Sequence, residues 1–205
     1  MQELSSRIAE AQARLKALAD DHADRASQLY DLATLLNDRY SVTEVTDDQN
    51  NAIDMVKQAI QAPSHQHPDR PEWLSFLGTL LSERYTRTEG MKTLEEAIVV
   101  SKQAVHETPD HDPKHSERLY NLALLLNDRF AVTEELADLD EAIANTRQSM
   151  DSPSKNHPDR MEWLSNLGAF LYHRLLLTES RPDLDEAIDL AQEVVDMLPN
   201  SDPDR

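Results

Sequence analysis

The pattern of the chain is clearest in residues 69–109, which read DRPEWLSFLGTLLSERYTRTEGMKTLEEAIVVSKQAVHETP. A stripe with the three- and four-residue spacing of an amphipathic helix contains Leu74, Leu77, Gly78, Leu81 and Tyr85. It predicts a helix A over about 70–86, started by Asp69 as N-cap with Glu72 at the third helical position. Thr93–Glu96 is a second capping box, which is repeated as Asp138–Glu141 and Asp183–Glu186, and it predicts a helix B, which Pro109 ends. The segment is therefore predicted to be an antiparallel helical hairpin.

The hairpin repeats every 45 residues. The tetrapeptide HADR begins at residue 22, HPDR begins at 67 and 157, and the chain ends in DPDR at 202–205. Residues 29–44 and 119–134 are identical at 12 of 16 positions, so a period of 90 residues overlies the shorter one. One hairpin cannot bury its apolar face alone, and the repeats therefore predict an all-α solenoid of stacked hairpins.

The period also predicts the domain organisation. We expect a single repeat domain over 1–205. Its parts are a lone helix B (3–19), hairpin repeats (22–66, 67–111, 112–156 and 157–201) and a stub (202–205). Small residues in the middle of helix A, Gly78 and Gly168 with Ala33 and Ala123, should let helix B approach closely.

The spacing within the hairpin resembles that of a known repeat. The residues that carry the resemblance to the tetratricopeptide repeat are Leu74, Leu77, Gly78, Leu81, Ala97, Ala104 and Pro109. The period of 45 residues exceeds the usual length of about 34. The pattern HPDR–EWLSxLG–R–TE–LDEAI is also similar to tandem arrays of large fungal proteins, which often adjoin CHAT or nucleotide-binding signalling domains. The resemblance implies a right-handed superhelix and a non-catalytic protein–protein interaction role in a larger cytoplasmic protein.

Composition excludes several classes of function. The chain has 205 residues, with 39 Asp and Glu against 20 Lys and Arg, so nucleic acid is not an expected partner. It has no cysteine, which excludes disulfides, thiolate zinc sites and cysteine nucleophiles. No apolar run reaches the roughly 20 residues of a membrane span, and residues 1–20 lack the apolar core of a signal peptide. We therefore expect an intracellular protein without membrane contact.

The sequence also lacks motifs for catalysis and for metal binding. It contains no GxSxG, Walker, HExxH or EF-hand pattern, so neither an enzyme nor a cofactor is expected. His65 with His67, and His111 with His115, have tolerable spacing for metal ligands. Both pairs lie at junctions between helix B and helix A and do not recur at the other junctions, so we expect no metal site.

Four arginines recur with the period and are expected to be structural: Arg39, Arg84, Arg129 and Arg174. Each should lie beside the first turn of helix B, whose acids and amides are Asp48, Asn50, Glu95, Asp138, Asp140, Asp183 and Asp185. Arginine suits that position because its guanidinium forms paired hydrogen bonds with carboxylates. The alternative is that these arginines bind anions.

A polar strip on helix A is the candidate binding surface, because helix A lines the concave surface in tetratricopeptide arrays. The strip consists of Tyr30, Thr34, Asn37, Asp38, Ser75, Thr79, Ser82, Glu83, Tyr120, Leu124, Asn127, Asp128, Ser165, Ala169, Tyr172 and His173. The strip contains no Lys or Arg, so we do not expect it to be the carboxylate-clamp type of site, which binds acidic chain ends. We expect a neutral or basic peptide or protein partner instead. Tyr30 and Tyr120 should contribute most to binding.

The alternative function is a structural spacer or self-assembly module. The apolar stripe of the lone first helix B has no preceding helix A, and Ile188, Val195 and Leu198 have no following one. These two apolar ends predict a weak head-to-tail self-association that propagates rather than closes.

Overall fold

The computed structural model describes residues 2–62, 67–88, 90–151 and 158–198, and every regular element in these ranges is an α-helix. The described helices are α1 (Gln2–Ala17), α2 (Arg25–Thr43), α3 (Thr46–Gln61), α4 (Arg70–Thr88), α5 (Met91–Glu107), α6 (Lys114–Thr133), α7 (Leu136–Asp151), α8 (Arg160–Thr178) and α9 (Arg181–Met197). The even-numbered helices are the A helices of the repeat, and the odd-numbered helices are the B helices.

The helices pack as antiparallel hairpins, which pair α2 with α3, α4 with α5, α6 with α7 and α8 with α9. Contacts group the chain into two compact units, one up to Glu107 with α1–α5 and one from Thr108 with α6–α9. Within the first unit, α1 also packs on α2 and α3 on α4. Within the second, α7 packs on α8. The predicted all-α fold of tetratricopeptide-like hairpins is confirmed for the described part of the chain.

The predicted apolar stripes form the core of the hairpins. Leu74 and Leu81 of α4 are fully buried, as are Ala97 and Ile98 of α5. Burying a leucine or isoleucine side chain stabilises a fold by about 1.5–3 kcal/mol, so these side chains contribute strongly to the stability of each hairpin.

The mid-helix glycines lie in different surroundings. A Cβ atom on Gly78 would lie 2.5 Å from Oγ of Ser101, so α4 and α5 approach too closely there for a side chain. A Cβ atom on Gly168 would meet only the carbonyl oxygen of Ala187, at 3.9 Å. Helix B therefore approaches both glycines, but only at Gly78 would an added side chain force a neighbour to move.

The predicted capping boxes are wrong, because helix B begins three residues earlier than they require. Thr93, Asp138 and Asp183 are each the third residue of their helix rather than its N-cap. In helix A, the N-cap residue Asp24 makes no side-chain capping bond. Instead, the backbone N–H of Asp24 donates to Nδ1 of His22 at 3.2 Å, and the same bond joins Asp69 to His67. The histidine of the HxDR motif thus closes the turn before helix A.

Helix A ends in an unusual way at the repeated Thr-Glu pair. The C-cap residues Glu44, Glu134 and Glu179 have φ angles of 55–57°, in the left-handed region that favours glycine. The backbone N–H of Glu134 donates to the carbonyl oxygen of Phe130 at 2.8 Å. The preceding threonine donates its hydroxyl to the carbonyl oxygen of the periodic arginine, as Thr133 does to Arg129 at 2.9 Å. This hydrogen-bonded end turns the chain directly into helix B.

Candidate functional site

Three of the four periodic arginines form paired hydrogen bonds with the third residue of helix B in their own hairpin. The pairs, with the distance from Nε to Oδ2, are Arg39–Asp48 (2.6 Å), Arg129–Asp138 (2.7 Å) and Arg174–Asp183 (2.8 Å). In each pair a second bond joins Nη2 to Oδ1. The guanidinium therefore connects the last turns of helix A with the first turn of helix B.

The aspartates of these pairs are buried, each beside the guanidinium of its arginine. The hydrogen bonds from Arg174 lower the pKa of Asp183, and the hydrogen bonds to Asp48 raise the pKa of Arg39. The carboxylate of Asp183 is therefore ionised near neutral pH. Removing the arginine would leave a buried carboxylate without its counter-charge, which is unfavourable.

Arg84 differs from the other three periodic arginines. The residue aligned with their aspartate partners is Thr93, which has no charge. Among the described residues Arg84 makes no ion pair, and the predicted partner Glu95 is exposed and does not reach it. The expected pairing of all four arginines is therefore wrong at Arg84.

Two other predicted partners of the arginines bind different groups. Asp140 does not pair with Arg129 of its own hairpin but accepts a bond from Nη1 of Arg174 in the next hairpin, at 2.8 Å. Asp185 pairs with Arg181, one turn earlier in α9, at 3.2 Å, and both side chains are largely exposed. The spacing of these residues in the sequence therefore does not show whether an arginine binds an aspartate of its own hairpin or of a neighbouring one.

The predicted binding strip lies on the A helices with varied exposure. Its exposed members are Asp38, Thr79, Glu83, Ser165, Ala169, Tyr172 and His173. Its half-buried members are Tyr30, Thr34, Asn37, Ser75, Ser82, Leu124, Asn127 and Asp128. The hydroxyls of Thr34, Thr79 and Ser165 donate to carbonyl oxygens of their own helices, so these three donors are already used.

Tyr120 is not part of an accessible surface, contrary to the expectation from the sequence. Its side chain is only 5% exposed. Its hydroxyl donates to Oε1 of Glu162 at 2.9 Å and accepts a bond from Nδ2 of Asn166. Burial and the Glu162 carboxylate raise the pKa of Tyr120. This polar network between α6 and α8 was not predicted. The one signal in the sequence is that Asn166 occupies the position that Phe76 has 90 residues earlier, so the two related repeats differ there.

Tyr30 has the same register in the first unit but different neighbours. Its ring lies edge-on to Phe76, with centroids 5.5 Å apart, and its centroid is 6.2 Å from that of Trp73. The ring is half-buried, so only one edge can contact a ligand. The two tyrosines that the sequence treats as equivalent therefore belong to an aromatic cluster in one unit and a hydrogen-bond network in the other.

The strip also contains hydrogen-bond acceptors without a donor. The Oδ1 atoms of Asn37 and Asn127, which are 90 residues apart, are buried and have no hydrogen-bond partner. Burial raises the pKa of Asp128. Burial also raises the pKa of Glu83, although a hydrogen bond with Gln49 opposes this effect. In the described ranges neither carboxylate forms an ion pair with Lys or Arg.

The histidines with metal-ligand spacing make structural contacts. His67 stacks on Trp73, with ring centroids 4.4 Å apart, and Nδ1 of His115 lies 3.1 Å from the carbonyl oxygen of Thr108. His65 lies outside the described residues, and His111 is exposed. Among the residues that the structure describes, no group of three or more His, Asp or Glu side chains could hold a metal ion. None of the described helices is long and apolar enough to cross a membrane.

These features define a helical-hairpin repeat domain whose charged side chains mainly connect its own helices. Residues 160–204 match the family model of the tetratricopeptide repeat. The described part of the chain therefore has the fold of tetratricopeptide-like hairpins, and the sequence of its last repeat matches the family model of that repeat.

Solved structures share this fold at low sequence identity. The chain is similar to YrrB, described as a TPR protein with an unusual peptide-binding site, with 19% identity, a TM-score of 0.60, and coverage of 92% of this chain and 78% of that one. It is similar to a putative kinesin light chain with nearly identical TPR-like repeats from Podospora anserina (14% identity, TM-score 0.61, coverage 94% and 89%). It is also similar to BtubC from P. vanneervenii, with 15% identity, a TM-score of 0.64, and coverage of 100% of this chain and 78% of that one. No curated protein sequence matches the chain significantly.

Proposed function

We propose that this chain is a non-catalytic protein-binding module whose strip on the A helices binds a neutral or basic peptide segment. The observation that carries the proposal is a set of acceptors on that strip. Asp128 is a partly desolvated carboxylate that forms no ion pair with the described residues, and Asn37 and Asn127 have unpartnered amide oxygens. An unpaired buried acceptor is unfavourable by about 1–3 kcal/mol, so a ligand that donates hydrogen bonds would gain this energy.

The charge of the protein favours the same class of ligand. The formal net charge is −19, and the strip itself contains Asp38, Glu83 and Asp128 but no Lys or Arg. Long-range attraction should raise the association rate of a basic segment at low salt, and this gain should fall as salt screens the charges. Of the aromatic residues, Tyr172 is 52% exposed and Tyr30 is half-buried, so these two replace Tyr120 as candidate contacts.

The similar structures support the proposal only through the fold. The peptide-binding site in the description of YrrB belongs to that protein, but it indicates that this fold can bind a peptide. The fold likeness to the repeats from Podospora anserina fits our further proposal that the chain is one segment of a tandem array in a larger, intracellular fungal protein of the CHAT-associated kind. The parent reading frame would test this second part.

The binding proposal can be tested with peptides of graded charge. A panel of extended 12-residue peptides, with the same apolar residues and a net charge from acidic to basic, would be titrated against the chain by fluorescence anisotropy. We expect basic peptides to bind most tightly. Asp128→Asn should weaken the best one by about two- to tenfold and reduce the salt dependence. The matched control is Asp54→Asn, which removes the same charge from an exposed position on α3, away from the strip. Preference for acidic peptides, or equal effects of the two variants, would contradict the proposal.

Self-assembly is a second candidate function, favoured by the exposed apolar side chains of α9. Ile188 is 58% exposed and Leu198 is 50% exposed, which is unusual for residues on an amphipathic stripe. Sedimentation velocity over a wide concentration range tests the predicted head-to-tail association. A strict monomer at the highest concentration would rule it out.

A further inference from the structure

The start of helix A carries an arginine in every repeat except the third. The last residue of the HxDR motif is arginine in the first, second and fourth repeats, and the aligned residue of the third repeat is His115. Two of these arginines connect the ends of their own hairpin. Arg70 donates to Glu107 of α5, and Arg160 donates to Glu193 of α9 at 2.9 Å. The α6–α7 hairpin therefore lacks an ion pair that α4–α5 and α8–α9 have.

A cavity lies at the corresponding place, between the start of α6 and the end of α7. Its volume is about 240 Å³, several times the roughly 30 Å³ that one molecule occupies in liquid water. It belongs to the second unit and is lined by Asp110, His115, Ser116, Leu119, Gln148 and Asp151. Gln148 is aligned with Glu193, so both members of the ion pair are replaced in this hairpin. We call this cavity the α6–α7 socket.

Two buried side chains of the socket have polar atoms without a partner. Nε2 of His115 and Oγ of Ser116 form no hydrogen bond with the described residues, although His115 is 6% exposed and Ser116 is 3% exposed. Nδ1 of His115 lies 3.1 Å from the carbonyl oxygen of Thr108, which can only accept a hydrogen bond. This bond assigns the proton of the neutral ring to Nδ1, so Nε2 is an acceptor without a donor. An occupant that donates hydrogen bonds would remove this unfavourable state.

The rim of the socket is negatively charged. The side chains of Asp110 and Asp151 are exposed to solvent. Asp151 forms no ion pair with the described residues, and Oδ1 of Asp110 lies 3.7 Å from Nδ1 of His115. These carboxylates would repel an anion and attract a cation.

The described cations of this hairpin bind other groups. Arg118, in the next turn of α6, donates from Nη1 to Oγ1 of Thr108. Arg147, near the end of α7, donates to Glu186 of α9 at 2.6 Å. None of the described lysines and arginines lines the socket. The described part of the chain therefore supplies no cation of its own to the two rim carboxylates.

The set of acceptors suits a guanidinium better than a metal ion or an ammonium. Among the described residues, no group of three or more His, Asp or Glu side chains could hold a metal ion, and this includes the socket. A guanidinium presents five N–H donors in one plane, so it can reach several separated acceptors at once. It is also more weakly hydrated than an ammonium, which favours its entry into a partly buried site. The same group bonds to helix B in α4–α5 and in α8–α9.

We propose that the α6–α7 socket binds the guanidinium group of an arginine side chain from a partner protein. The carboxylates of Asp110 and Asp151 attract it, and His115 and Ser116 offer it buried acceptors. The partner thereby supplies the cation that the third repeat lacks. Because the rim is exposed, the arginine can enter from solvent while its backbone stays outside. None of the lining residues belongs to the strip on the A helices, so this site is separate from the surface proposed above.

The test compares three peptides that differ in one side chain. The peptide GSGRGSG would be titrated into the chain labelled at its histidine rings and followed by NMR, beside the same peptide with lysine or citrulline in place of arginine. Citrulline has the shape of arginine without its charge. We expect saturable shifts at the ring of His115, weaker binding of the lysine peptide, and no saturable binding of the citrulline peptide. His106, an exposed histidine of α5, should not shift.

Two matched variants separate the socket from general attraction to an acidic protein. Asp151→Asn should weaken binding of the arginine peptide by about two- to fivefold, because it removes a carboxylate of the rim. The control is Asp196→Asn at the aligned position of α9, in the hairpin where Arg160 and Glu193 already form their pair. It removes the same charge and should leave the binding nearly unchanged.

A second change fills the socket with an arginine of the chain itself. The double variant His115→Arg with Gln148→Glu introduces the pair found in α8–α9. We expect it to abolish binding of the arginine peptide and to raise the temperature of thermal unfolding. Fluorescence anisotropy of a labelled peptide measures the binding, since this variant has no His115 signal. Circular dichroism checks that each variant folds, and Asp151→Asn, at an exposed position, tests the proposal even if the double variant does not.

Four results would overturn the proposal. They are the absence of saturable His115 shifts at millimolar peptide, equal binding of the citrulline peptide, equal effects of Asp151→Asn and Asp196→Asn, and tighter binding of free arginine than of the peptide. The last result would assign the socket to a small guanidine compound. The strip peptides can bind or fail to bind independently of these results, because their test depends on Asp128.

A lysine of the chain is the alternative occupant. Lys155 follows Asp151 by four positions and lies outside the described residues. If it occupies the socket, Lys155→Gln will shift the ring signals of His115 without any peptide. That result would assign the socket to an internal ion pair and would equally overturn the proposal. Unchanged His115 signals in this variant, with unchanged binding of the arginine peptide, would support it.

Discussion

The guanidinium of Arg174 donates to Asp140 in the preceding hairpin at 2.8 Å while it forms paired bonds with Asp183 in its own. One side chain therefore connects three helices, α7, α8 and α9. Arg39 and Arg129 also form paired bonds with the aspartate of their own hairpins, whereas Arg84 forms no ion pair with the described residues. The four arginines thus form a series at one structural position.

This series predicts different effects of removing the guanidinium. Arg129→Met should lower the free energy of unfolding by about 1–3 kcal/mol, because it leaves the buried Asp138 carboxylate unpaired. Arg84→Met should lower it much less, since Thr93 replaces the aspartate. Urea denaturation followed by circular dichroism measures both. Equal losses would show that the methylene stem of the arginine matters more than its charge.

The Arg174–Asp183 pair predicts a dependence of stability on pH. The hydrogen bonds from Arg174 hold the pKa of Asp183 below its unfolded value of about 3.9. The stabilisation is therefore fully present above that value and is lost as the pH falls through the lower folded pKa. The stability difference between the natural chain and Asp183→Asn should shrink on going from about pH 6 to about pH 3.

A control separates this effect from general acid denaturation. Asp54→Asn removes an exposed carboxylate of α3 that forms no ion pair with the described residues, and its stability difference from the natural chain should change less with pH than that of Asp183→Asn. If Asp183→Asn shows the same flat profile, the pair does not stabilise the folded state.

The two mid-helix glycines predict opposite responses to a side chain. Gly78→Leu should lower the free energy of unfolding by about 1–3 kcal/mol, because the new side chain would displace Ser101 and separate α4 from α5. Gly168→Ala should raise it by about 0.5–1 kcal/mol, since alanine favours the helix and the new methyl group would lie in ordinary contact, at 3.9 Å, with the carbonyl oxygen of Ala187. Thermal unfolding of both variants tests the packing, and a destabilised Gly168→Ala would show that α8 and α9 leave no room for a methyl group there.

The left-handed C-caps predict a stabilising substitution. Glu134 has φ 57°, a conformation that disfavours a side chain, so Glu134→Gly should raise the free energy of unfolding by up to about 1 kcal/mol. Glu135→Gly is the matched control, because its residue lies one position later without a left-handed φ, and glycine there should be neutral or unfavourable. Chemical denaturation measures the free energy of unfolding of the two variants. A Glu135→Gly variant more stable than Glu134→Gly would contradict the role assigned to the Thr-Glu pair.

Much of the fold follows from the sequence, because it depends on local spacing. The stripe around Leu74 and Leu81 has helical periodicity, and recurrence at 45 residues requires the same hairpin several times. The position of Arg129 two turns past a small residue was enough to place it beside the first turn of helix B. These inferences need only helix geometry and the tendency of apolar faces to be buried.

The tertiary structure decided which neighbour each side chain meets. Tyr30 and Tyr120 have the same register, yet one lies against Phe76 and the other bonds to Asn166, because the facing helix differs at one position. Ile143 and Ile188 share one motif, yet only Ile143 has a helix A packed over it. An amphipathic pattern states which face of a helix avoids water. Which side chains that face meets depends on helices elsewhere in the chain, and the pattern of one helix does not contain this information.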